Sequence, residues 1–180
     1  ARAVYEQVVE LTAGGLGRPP AGGTALYEAI CGACGGKLLT ASRERSVGRA
    51  YGVIRDGGDY QSQVTRAQAI AMAQRAETII YAISTDDSGL ILRGDKVLEE
   101  LSSATGGRAF FPFKMKDITH SFAAIEEELR SQYAGSYKPS DFDTGGRFHS
   151  NELTTIKKDP HVTNRRGVDA PTKTTATPRL

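Results

Sequence analysis

Residues 78–83 read TIIYAI, an apolar run without polar alternation. Such a run is the mark of a strand buried on both faces, as in a parallel sheet with helices on either side. The residues around it fit that frame. Thr65 is placed to N-cap a helix through about Ala76, with Ala69, Ile70 and Ala73 on its inner side. Upstream, AYGVI (50–54) reads as a second buried strand, ended by the polar turn Arg55-Asp56-Gly57-Gly58-Asp59.

Downstream, Val97, Leu98, Leu101 and Ala104 recur at helical spacing over 95–105, and Gly106-Gly107 stop that helix. RAFF (108–111) is a short strand ended by Pro112, and 117–132 carries the cleanest helical period in the chain: Ile118, Phe122, Ile125 and Leu129, with Asp117 as N-cap. Alternating strands and helices predict an α/β fold, Rossmann-like, with right-handed crossovers. Before residue 50, AVYEQVVELT (3–12) reads as a short helix, 14–23 as a Gly/Pro loop, and Thr24 opens a helix over TALYEAICGACGGKLL. After Tyr133 the pattern changes. YAGSYKP, RFHSNELTTIKK and HVTNRR read as short strands of a small antiparallel addition over 133–167. Residues 168–180 contain no core formers and are expected to be disordered.

Composition narrows the function. The chain has 180 residues, 20 of them Gly, a hydrophobic fraction of 39% and a net charge of +2. That is the size of one domain. Its charge is too weak for a phosphate-binding face, and the cluster Lys157, Lys158, Arg165, Arg166 reads as solvated charge, so no nucleic-acid partner is expected. No apolar run reaches the ~18–20 residues of a membrane span. The first residue is Ala1, which suggests a cut or processed start.

Ligands of parallel α/β sheets gather at the C-terminal ends of the strands. Thr24 and Asp56 occupy such positions. Each has two readings: Thr24 as a helix N-cap or a hydroxyl ligand, Asp56 as a turn residue or a carboxylate ligand, the ligand pair suiting Mg²⁺. Cys31-Gly-Ala-Cys34 spells C-x-x-C, but within a helix and without a second pair it reads as small buried residues. His120, His149 and His161 are scattered, and no nucleophile–base pair is visible, so a non-enzymatic role is expected.

Five stretches, taken in order, are similar to a known family. GGTALYEAI (22–30), VIRDGGDYQSQVT (53–65), TIIYAIST (78–85), VLEELSSATGGRAFFP (97–112) and LRSQYAGSYKPSDFDTGGRF (129–148) resemble bacterial VWFA-related members of the von Willebrand factor type A (VWA) domain. The resemblance implies a Rossmann-like VWA fold truncated at its N-terminus: a partial VWA domain over 1–132, its antiparallel β extension over 133–167, and the tail 168–180. It implies protein binding through a metal-ion-dependent adhesion site, with Thr24 matching the ligand of the second loop and Asp56 that of the third. It also implies export in bacteria. The family's Asp-x-Ser-x-Ser loop and opening strands have no counterpart in this sequence, and Arg55 stands where the family carries a small Ser. Mg²⁺ binding is therefore expected to be weak or absent, because the cation demands near-ideal octahedral geometry. The alternative is a truncated, non-functional or purely structural remnant. Its sheet would carry an exposed edge that favours self-association.

Overall fold

The computed structural model describes residues 25–38, 49–55, 59, 61–86, 93–114, 116–133, 148–154, 156 and 162–169. Helix α1 (Leu26–Ala33) runs on into a π-type turn at Cys34–Leu38. Strand β1 (Arg49–Ile54), helix α2 (Arg66–Arg75), strand β2 (Thr78–Ile83), helix α3 (Arg93–Thr105), strand β3 (Ala109–Phe110) and helix α4 (Asp117–Arg130) follow. Strands β1, β2 and β3 form a parallel sheet in that order, with Val53 beside Ala82 and Ala82 beside Ala109. The expected α/β class and the parallel sheet are present. The helix expected at 3–12 and the loop at 14–23 lie outside the described residues.

One face of the sheet carries the core. Val53, Ile80 and Ala82 pack with Leu26, Ile30 and Cys34 of the first helical segment, Ala69 and Ala73 of α2, and Leu98 and Leu101 of α3. The expected inner side of α2 is thus correct. Its first turn is closed by a capping box: Gln68 N–H donates to Thr65 Oγ1 (3.3 Å) and Thr65 N–H to Gln68 Oε1 (2.7 Å). Tyr81 and Ile83 are buried on the other face, where α4 packs against β2.

Three expectations need correction. AYGVI is buried on one face only: Ala50 and Gly52 are exposed and Ile54 is 53% exposed, because among the described residues nothing covers that side of β1. Helix α4 forms over the expected residues, yet Phe122 is 49% exposed and Ser121 alone is buried, because the helix meets the sheet mainly at β2. Its N-cap falls on Lys116, not Asp117, which is the first helical residue.

The α3–β3 connection is the tightest point. Gly107 N–H donates to Ser102 O (2.9 Å) and Gly106 N–H to Ser103 O (3.3 Å), a Schellman ending with Gly106 at φ 86°. A Cβ on Gly107 would stand 2.0 Å from Ile80 O. The C-terminal addition is antiparallel as expected, but β4 (Phe148–Ser150) pairs with β5 (Gly167–Asp169), beyond the HVTNRR run. Residues 168 and 169 are therefore strand rather than tail, while 170–180 and most of YAGSYKP lie outside the described residues. This addition sits at the N-terminal end of the sheet. Arg165 Nη1 donates to Gln74 O (3.4 Å) at the end of α2, and the 164–165 backbone closes over Gly106.

The glycines separate by what surrounds them. Gly107→Ala is expected to lower stability by about 3 kcal/mol or more, since backbone must move. Gly32→Ala, in α1 with nothing within 4 Å of the new Cβ, is expected to raise it by about 0.5–1 kcal/mol. Urea melts of the two variants check both signs.

Candidate functional site

Helix α1 begins without a cap of its own. The N-cap position falls on Ala25, whose side chain accepts no hydrogen bond, rather than on Thr24. The first-turn amides are met instead from the loop after β1. Tyr27 N–H donates to Asp59 Oδ2 (2.9 Å) and Glu28 N–H to Ser62 Oγ (3.1 Å). The Glu28 carboxylate reaches back and accepts from Gln63 N–H (3.0 Å). This is the reciprocity of a capping box, made between segments more than 30 residues apart.

Asp59 is the hub. Ser62 Oγ donates to its Oδ2 (2.7 Å), and the amides of Ser62 (3.0 Å) and Gln61 (3.3 Å) donate to its Oδ1. Partial burial pushes the Asp59 carboxyl up, but the hydrogen bonds from Ser62, Tyr27 and Gln61 outweigh it and hold the group below the usual aspartate range.

Thr24 and Asp56 both lie outside the described residues. Their neighbours are placed. Ala25 leads into α1, and Arg55 extends the β1–β2 ladder, donating to Ile83 O (3.0 Å) and accepting from Thr85 N–H (3.2 Å). Among the described residues, the structure joins the first turn of α1 to the loop after β1, through Asp59 and Ser62, at the C-terminal end of the sheet. Sequence reasoning absorbed Asp59 into a generic turn. The available signal was Asp59-Tyr-Gln-Ser62, an Asx-type pattern that bonds its own following amides.

A second polar pair lies at the end of β2. Ser84 Oγ donates to Asp95 Oδ1 (2.7 Å), both residues buried, and accepts from Asp86 N–H (3.3 Å). It ties the start of α3 to the sheet. Among the described residues no three His, Cys, Asp or Glu side chains gather as a metal site; Thr24 and Asp56 are not among those residues. No described helix is long and apolar enough to cross a membrane. His120 is exposed, His149 is half-buried on β4, and His161 is outside the described residues. Of the basic cluster, Arg166 is exposed, Arg165 is held on Gln74 O, and Lys157 and Lys158 are outside.

Cys31 and Cys34 are free thiols. Burial drives Cys34 up to about 11, against a hydrogen bond with the Thr78 hydroxyl that pulls it down. Burial, and then Glu28, also raises Cys31. Both shifts disfavour the thiolate, which is the reactive form. No protein-family model, curated protein or solved structure matches the chain.

Asp59→Ala is expected to cost about 1 kcal/mol, as loss of a cap that serves part-buried and exposed amides. Because the folded carboxyl is depressed, its contribution is complete above the ordinary aspartate range, near 3.9, and is lost as pH falls through the lower folded value. The parent chain should therefore lose stability over that acid window more steeply than the variant, as followed by denaturant melts at stepped pH. With a thiol reagent near neutral pH, half-buried Cys31 should label ahead of Cys34, and Cys34 should label only at the rate of unfolding.

Proposed function

We propose that the chain is the C-terminal part of a VWA-type module that binds a protein partner and performs no catalysis. One observation carries the reading. The first turn of α1, which follows the Gly-Gly-Thr in sequence, and the loop after β1, whose segments are alike to two successive metal loops of that family, are held together by Asp59 beside a parallel sheet. The sequence resemblance asks for that adjacency, and nothing in local secondary structure requires it. In relatives a divalent cation at such a corner recruits an acidic side chain of the partner. Here Thr24 and Asp56 are the two ligands the chain would supply, and an ion of this kind takes about six oxygens. Cation binding is therefore weak or absent in this chain. By the same resemblance its place is outside the cytoplasm of a bacterium.

A second reading is a structural remnant that binds no metal. The uncovered side of β1, with Ile54 53% exposed, and the half-exposed apolar stripe of α4 favour it.

Calorimetric titration with Mg²⁺ and Mn²⁺ separates the cases. No site tighter than about millimolar is expected from two protein oxygens. A micromolar site abolished by Asp56→Ala would overturn the incomplete-site reading. A chain extended upstream by a strand ending in Asp-x-Ser-x-Ser should gain a cation site that depends on both Thr24 and Asp56. No gain in that chain supports the remnant.

A further inference from the structure

Strand β1 is hydrogen-bonded to β2 on one side, and among the described residues no strand lies along its other edge. Arg55 fixes which residues face which way, since its N–H and C=O both bond to β2. In a parallel ladder the residues of a strand alternate between the two edges. Tyr51 and Val53 therefore turn their backbone groups to β2, and Ala50, Gly52 and Ile54 turn theirs outward. These three residues are also the exposed ones, and a Cβ placed on Gly52 would meet nothing within 4 Å. Residues 49–54 contain no Pro and no Lys, the residues that commonly blunt an edge. Their one charge, Arg49, points to Ala76 O (3.2 Å) and Glu77 (4.0 Å).

We propose that this edge pairs with the same edge of a second copy, antiparallel about a two-fold axis at Gly52. An isologous contact must be complementary to itself, and this strand is. The outward groups of Ala50 meet those of Ile54 from the second copy, and Gly52 meets Gly52, with about six hydrogen bonds across the pair. The residue on the axis has no side chain to clash. Ile54 covers Ala50 on the exposed face, so apolar surface meets apolar surface. A net charge of +2 sets little long-range repulsion against the pairing. Arg49 opposes Arg55 of the second copy at each of the two ends, where like charges weaken the contact. A six-residue edge buries little area, so the association is expected to be weak. Screening of the arginines makes the dimer tighter, not weaker, in added salt. The proposed dimer does not rest on the cation reading, although the two would compete for the same edge.

Sedimentation velocity on the full chain tests it. A concentration-dependent monomer–dimer equilibrium, strengthened by salt, is expected. Gly52→Pro removes an outward N–H and no bond to β2, and should weaken the dimer at least about tenfold with the circular dichroism unchanged. Ile54→Lys, at an exposed side chain, should do the same and covers the case in which the proline variant fails to fold. A chain that stays monomeric at all concentrations overturns the proposal, and so does a dimer insensitive to Ile54→Lys. Monomers whose Ala50, Gly52 and Ile54 amides resist hydrogen exchange overturn it too, because the edge is then filled from within the chain.

Discussion

Strand β2 has side chains buried on both faces, so its backbone groups must all be satisfied within the protein. On the β1 side a full-length parallel ladder does this. On the other side β3 is two residues long, and Arg108 and Phe110 there meet only the amides of Ala82 and Ser84. The amide of Ile80 is left over, and the Thr105 hydroxyl meets it at 2.9 Å. That hydroxyl lies at the end of α3, where it also donates back to the helix carbonyls of Leu101 and Ser102. For it to come so close, the chain leaving α3 must lie directly on β2, and this is why Gly107 has no room for a side chain. An unmet buried amide costs about 1–3 kcal/mol, so the short third strand is tolerable only with Thr105 and Gly107 in place. The C-terminal addition then closes over the same turn, through the 164–165 backbone on Gly106.

The opposite end of the sheet is organised by charge rather than by packing. A helix N-terminus with free amides is a ready anion site, and α1 points its N-terminus at the corner where the candidate ligands lead. Asp59 and Ser62 already occupy the amides of Tyr27 and Glu28. The dipole of α1 is thus spent on holding the loop after β1. The amides of Tyr27 and Glu28 are therefore already engaged and are not open to a further ligand.

Much of the fold was legible because each strong signal was local. TIIYAI, the Thr65 N-cap and the Gly106-Gly107 stop each name their structure within a few residues. What escaped was set by distant neighbours. The AYGVI and Phe122 runs are apolar, but whether they are buried depends on what lies against them, and composition does not state it. Glu77 occupies a left-handed position, φ 53°, where glycine is the usual residue, and nothing in the sequence flags it. Asp95, Ser102 and Thr105 lie on the buried side of α3 with Leu98 and Leu101, a side that polarity alone assigns to solvent. Of the candidate site, the clasp between the first turn of α1 and the loop after β1 was not legible, because Asp59 and Tyr27 are 32 residues apart.

The open edge of β1 and the proposed cation corner constrain each other through strand direction. A strand added parallel to β1 would end beside Arg55 and the first turn of α1, and its following loop could deliver oxygens to that corner. A strand added antiparallel, as in a two-fold dimer, brings its opposite end there. In that arrangement Arg49 of the second copy lies against Arg55, and a second guanidinium approaches the acidic loop. A second copy there would also occupy the edge that a completing strand would use, so the proposed dimer and a proposed completed cation site would compete for the same six residues.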